Sequence, residues 1–187
     1  MAEPKNKTPG NICCGFISIL YGIFRIMTKK SRGEVAVLLH DIRSTHNVGS
    51  IFRTSDALGV NKIYMSGYTP TPLDKYNRAR KDVAKVSLGA EKTIPWEYNE
   101  DPKKIIKKLE KDGFTIVAVE QSESSVDYKK VKIEYPVLFV VGNEVDGVDK
   151  TILSLCDVVA EIPMLGEKES LNVSVAFGVA LSRMLNI

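Results

Sequence analysis

The chain has little of what a disulfide scaffold, a metal site or a membrane span requires. Its 187 residues include three cysteines and two histidines. Cys13 and Cys14 are adjacent, and Cys156 stands alone in a segment that reads as a short helix, so no disulfide framework and no zinc-ligand spacing can be assembled. This points to a reducing, cytoplasmic setting without a bound metal. His40 and His46 give a histidine-based metal or triad site too little to work with. The net charge of +3 lacks the basic excess of a protein that coats nucleic acid indiscriminately, and leaves room for a local basic face.

A long apolar run is missing as well. Residues 12 to 27, ICCGFISILYGIFRIM, are interrupted by Arg25 and fall short of the ~20 residues needed to cross a bilayer. No small-x-small cleavage pattern follows them. A membrane partner is therefore disfavoured, and residues 1 to 33 read as an N-terminal extension. Three readings of it stay open: a helix or hairpin packed on the domain or a partner, sequence upstream of a natural start at Met27, and, as the minority reading, a membrane surface anchor.

What is present suits one globular domain over residues 34 to 187, with 44% hydrophobic and 26% charged residues in the chain. EVAVLLH (34 to 40), KIYMSG (62 to 67), FTIVAVE (114 to 120), PVLFVVG (136 to 142) and VVAEIP (158 to 163) read as buried strands. Between them, helices are expected over 47 to 59, 82 to 92, 101 to 113, 150 to 157 and 170 to 185, with residues 68 to 81 as a long loop. Strand and helix alternation implies an α/β fold with five or six mostly parallel strands flanked by helices.

Ligands of open parallel sheets gather at the carboxyl ends of strands. The first such loop holds one glycine, Gly49, and no G-x-G-x-x-G, so a dinucleotide or Rossmann-type methyltransferase site is not signalled. The glycines come late instead, in VGNEVDG and MLGEKES. There they would let backbone approach a flat ligand closely.

Three stretches, HNVGSIFRTSDALG, LFVVGNEVDGV and EIPMLGEKESLNVSVAFGVAL, resemble the three motifs of the SpoU/TrmH family of the SPOUT superfamily, RNA ribose 2'-O-methyltransferases that use S-adenosylmethionine. The resemblance implies a SPOUT-type sheet with a C-terminal trefoil knot, and a homodimer with its active sites at the interface. It implies catalytic roles for Asn47, Arg53, Glu144, Ser170 and Asn172. S-adenosylmethionine would lie against the backbone around Val119, Glu120, Gly142, Asn143, Ile162, Met164 and Leu171. Arg53 is the family's proposed base or its organiser; a guanidinium with pKa above ~12 is a poor base and a good phosphate clamp.

RNA binding would rest on phosphate contacts, with Arg43, Arg53, Arg78, Arg80 and Lys81 as candidates, and Lys29, Lys30 and Arg32 beside them. By analogy with minimal relatives that lack a separate RNA-recognition domain, tRNA is the first choice and rRNA the second. Ordinary roles compete residue by residue: Ser170 as a helix N-cap, Asn143 and Glu144 as turn residues, His46 as a solvated loop residue and Cys156 as a small core residue. At the level of the whole chain the alternatives are a catalytically silent RNA-binding factor and methylation of a base nitrogen. Deleting residues 1 to 26 is expected to leave soluble expression and activity intact if Met27 is the natural start; loss of either, read by expression and methyl-transfer assay, favours the packed helix.

Overall fold

The strand Val35–His40 is apolar and buried on both faces over its first five positions, as a central parallel strand must be, and ends in the partly buried His40. The computed structural model describes residues 33–187; the apolar run 12 to 27 and the basic residues Lys29, Lys30 and Arg32 lie outside the described residues. The order of elements is β1 (Val35–His40), α1 (Thr45–Leu58), β2 (Lys62–Ser66), α2 (Lys81–Ser87), α3 (Ala90–Thr93) and β3 (Trp96–Tyr98), then α4 (Pro102–Lys111), β4 (Thr115–Val119) and β5 (Val126–Asp127). A 3-10 turn (Tyr128–Lys130), β6 (Val137–Val141), α5 (Lys150–Leu153), β7 (Val158–Glu161) and α6 (Val173–Met184) complete it.

The strands form one sheet in the order β3-β2-β1-β6-β4-β7-β5, and every neighbouring pair is parallel. The expected strands are all there. The additional ones, β3 and β5, are edge strands of three and two residues, too short for a period-two pattern to register.

Alternation along the central strands divides the core into two layers. Val37 and Leu39 of β1, with Phe139 and Val141 of β6, pack with Ile51 and Phe52 of α1 and Phe177 and Leu181 of α6. Leu38, Leu138 and Val140 face the other way, onto Ile105, Ile106 and Leu109 of α4 and Ile152 of α5. The longer helices present an apolar stripe to this core; in α6 it is Phe177, Ala180, Leu181 and Met184, at i, i+3, i+4 and i+7. No helix among the described residues is long and apolar enough to cross a membrane.

Several boundaries differ from expectation, each for a local reason. Helix α1 starts at Thr45 because Ser44 caps it, its Oγ accepting from the Asn47 N–H at 3.3 Å, so His46 is an exposed helical residue and not part of the loop. The helix expected over 82 to 92 breaks at Leu88 and Gly89, both in the left-handed region at φ 52° and 97°. Residues 68 to 81 are not an open loop throughout: Leu73 bridges Ala79, and Lys81 already belongs to α2. Helix α5 stops at Leu153, which leaves Cys156 outside it. Helix α6 begins at Val173 with Asn172 as its cap, so Ser170 lies two residues outside and does not cap it.

Gly49 lies where α1 crosses α2. A Cβ there would fall 2.8 Å from the Val86 Cβ and 2.9 Å from the Val83 carbonyl oxygen. Gly49→Ala is expected to force the two helices apart and lower stability by about 1–3 kcal/mol, measurable as a reduced midpoint in urea denaturation.

Candidate functional site

All strands run the same way, so the segments that follow β1, β4, β6 and β7 meet at one edge of the sheet. Glu144 is the point at which they join. Its Oε2 accepts from the Arg43 N–H at 2.9 Å, and its Oε1 accepts from the Ser44 N–H at 3.0 Å and from Asn47 Nδ2 at 2.7 Å. The Asn47 Oδ1 in turn accepts from Asn172 Nδ2 at 3.1 Å. Asn172 turns its own Oδ1 to the N–H and hydroxyl of Ser174, at 2.9 and 2.7 Å. One residue from each of the three motifs is thus part of a single hydrogen-bonded chain, with Asn47 buried at its centre.

Partial burial works against the charge on Glu144, but the hydrogen bonds from the Arg43 N–H, the Asn47 amide and the Ser44 N–H outweigh it and hold the carboxyl below the usual glutamate range. The group is a fixed carboxylate, which suits an anchor better than a proton donor.

Next to this chain opens a cavity of about 380 Å³, within the range of small-molecule sites. Val119 at the end of β4 and Glu120 after it, Gly142 and Asn143 after β6, and Ile162 and Met164 after β7 contribute to its wall. Ser170 and Leu171 close it from the last loop, which Gln121 holds by donating its Nε2 to the Glu169 carbonyl at 3.0 Å.

The second-motif loop is shaped by its own atoms. Asn143 Oδ1 accepts from the Val145 and Asp146 N–H groups at 2.7 and 2.9 Å, and the main chains of Asn143 and Gly147 bridge each other. A Cβ on Gly142 would lie 2.3 Å from the Gly147 carbonyl oxygen, so only glycine lets the turn fold back this tightly. The Glu120 carboxylate is consumed here, accepting from the Val148 and Gln121 N–H groups at 2.8 Å each.

Arg53 is exposed on α1, off the cavity wall, without an ion pair or hydrogen bond among the described residues. Arg43 is also exposed, its main chain tied to Glu144. Arg78 is engaged inside its own loop, 2.8 Å from Asp74 Oδ2 and stacked 4.9 Å from the Tyr76 ring centroid. Lys81 is exposed at the start of α2, and Arg80 has its Nε buried without a partner. None of these cations reaches the cavity wall. Among the described residues no group of three His, Cys, Asp or Glu is placed to hold a metal. Burial, with Asp157 adding to it, pushes the Cys156 thiol up to about 12, so it is inert.

The backbone donors of Arg43 and Ser44 escaped sequence reasoning, as did Gln121 and the Asp41-Tyr68 contact to Asn143 described below. Main-chain N–H groups carry no residue-type signal. Gly147 was visible as the second glycine of VGNEVDG, though its reason, an approach to the Glu120 carboxylate at φ 69°, was not.

An all-parallel sheet covered on both faces, with segments after three strands lining a cavity at its carboxyl edge, defines an open-sheet α/β ligand-binding domain. Within that class the chain belongs to the SpoU rRNA Methylase family, whose match spans residues 34–182. A tRNA (guanosine(18)-2'-O)-methyltransferase of Aquifex aeolicus is 33% identical over 161 residues, covering 84% of this chain and 71% of that protein. A 23S rRNA (guanosine-2'-O-)-methyltransferase of Neisseria meningitidis is 31% identical over 157 residues, and this chain spans 60% of its length. Among solved structures, an AdoMet-bound rRNA methyltransferase from Sinorhizobium meliloti superposes with a TM-score of 0.75 at 28% identity, over 82% of this chain and 56% of that one. The TrmH/SpoU tRNA modifying enzyme of A. aeolicus superposes with a TM-score of 0.73 at 29% identity, over 90% of this chain and 83% of that one.

Glu144 stabilises the fold through a carboxyl whose folded pKa is depressed. That contribution is fully present above the ordinary value of about 4.3 and is lost as pH falls through the lower folded value. Glu144→Gln is expected to cost about 1–3 kcal/mol at neutral pH, and the gap from the unaltered protein should narrow as denaturation is repeated towards pH 3.

Proposed function

We propose that this chain methylates a ribose 2'-hydroxyl of structured RNA, with S-adenosylmethionine as methyl donor and tRNA ahead of rRNA as substrate. The carrying observation is the Asn172-Asn47-Glu144 chain, which joins one residue of each motif, beside a 380 Å³ cavity lined by the second- and third-motif loops. The Aquifex and Neisseria relatives are named as 2'-O-methyltransferases, and the Sinorhizobium structure is described as AdoMet-bound. Placing tRNA first rests on analogy with compact relatives such as the Aquifex tRNA enzyme, 83% of which this chain covers.

The residues present fit such a cofactor. Ile162, Met164 and Leu171 offer apolar wall, while Gly142, which has no room for a side chain, presents bare backbone on which a flat base can lie. The bound sulfonium would supply an electrophilic methyl group and a good leaving group. The protein's part is then alignment, which by itself contributes several kcal/mol. Asn47, Glu144 and Asn172 hold the loops in register. Ser170 faces the cavity, and Arg53 keeps its guanidinium uncommitted for a nucleotide phosphate.

A homodimer completes this proposal. Val175 and Val179, one turn apart on α6, are exposed to 50% and 41%, a stripe that a second copy would cover. The C-terminal trefoil knot is proposed with it, supported by the Gln121 bond that pins the last loop to the segment after β4.

Incubation with labelled S-adenosylmethionine and total tRNA or rRNA, followed by alkaline hydrolysis, tests the proposal. Alkali-resistant label in tRNA is expected. Label without alkali resistance would mean base methylation, and no label would mean a silent RNA-binding factor. Arg53→Lys keeps the charge and loses the fork, and should lower kcat/KM for RNA about 10–100-fold; near-normal turnover would remove the bidentate role.

A further inference from the structure

Two tyrosines stand on the same sheet edge, just beyond β2 and at the end of β3. Tyr68 is 59% exposed and Tyr98 is 44% exposed. Exposed apolar surface is ordinary in itself; here both rings are tethered at their hydroxyls. The Tyr98 hydroxyl donates to the Gly67 carbonyl at 2.7 Å. Tyr68 is held at both ends, its N–H donating to Asp41 Oδ1 at 3.0 Å and its hydroxyl accepting from Asn143 Nδ2.

The orientation of the Asn143 amide follows from its partners. Its oxygen accepts two main-chain N–H groups of its own turn, so its nitrogen must face the Asp41 carbonyl and Tyr68. The phenol of Tyr68 is therefore an acceptor towards Asn143 and keeps its own proton for donation outwards. The supporting backbone is unusual as well. Asp41 lies in the left-handed region at φ 54°, and Gly67 at φ 60° leaves no space for a Cβ, which would fall 1.8 Å from Asp41 Oδ1. Non-glycine residues in that region cluster at functional sites.

Asn143 is both the tether of Tyr68 and part of the cavity wall. We propose that the Tyr68 ring is a stacking platform for a base of the RNA substrate, placing the strand whose ribose is presented at the cavity, with Tyr98 as a second ring beside it. This rests on the RNA-methylating function proposed above. A ring fixed at hydroxyl and backbone offers its face with little conformational entropy left to lose. Splayed bases stack on such rings whatever their identity, which suits positioning without sequence readout.

The test compares Tyr68→Leu and Tyr68→Phe in the full chain, measuring kcat and KM for RNA and, by calorimetry without RNA, the Kd for S-adenosylmethionine. Tyr68→Leu should raise the KM for RNA roughly tenfold, equivalent to about 1.4 kcal/mol, with kcat and cofactor Kd changed less than about twofold. Tyr68→Phe should recover most of that loss. Equal losses in Leu and Phe variants with weakened cofactor binding would overturn the platform in favour of a loop support through the hydroxyl. An active unaltered protein and an equally active Tyr68→Leu would overturn the platform alone, whereas an unaltered protein that transfers no methyl to RNA would overturn both proposals.

Discussion

The carboxylate of Glu144 is the constraint on which the rest of the site depends. It belongs to a turn after β6, yet its three donors lie about a hundred residues earlier, at the entrance to α1. Those donors include main-chain N–H groups next to a helix N-terminus, which carry partial positive charge and favour an anion. Removing the anion would leave N–H groups without an acceptor. The charge therefore holds two distant loops together, and Asn47 extends the hold to the start of α6 through Asn172.

This arrangement separates residues that build the site from residues free to meet a substrate. Asn47, Glu144, Asn172 and the Glu120 side chain have their hydrogen-bonding capacity used by neighbouring loops. Ser170 and Arg53 do not, and Arg53 stays exposed without an ion pair among the described residues. The same contrast runs through the basic residues: Arg78 is engaged by Asp74 and Tyr76, whereas Arg43 and Lys81 are exposed. Electrostatic contact with phosphate falls most naturally to side chains that need not break an existing pair.

The apolar residues of the late loops have a matching logic. Ile162 and Met164 follow β7 and line the cavity although they sit outside any strand, and Leu171 does so immediately before the α6 cap. The charged Glu167-Lys168-Glu169 run between them is exposed, and it is tied to the segment after β4 through the Glu169 carbonyl, which accepts from Gln121. Polar residues between two apolar segments thus form the surface of a loop whose two ends are both anchored.

The α/β class, the central strands and the helices with a strong apolar stripe were legible from the residues alone, because period and burial are written in side-chain type. The three motifs were legible too; the fold lines one cavity with residues of the second and third, ties Asn47 of the first to them by hydrogen bonds, and leaves Arg53 off the wall. Boundaries failed where backbone outweighs side-chain pattern, as at the left-handed Leu88-Gly89 break and at Asn172, which caps α6 in place of Ser170. What only the tertiary structure decided is which polar groups face each other. The bond from Asn172 to Asn47 spans 125 positions, and the one from Asn143 to Tyr68 spans 75. A hydrogen bond depends on distance and direction in space, and linear spacing encodes neither; hydrophobic periodicity depends on residue type along one element, and a single sequence states that outright.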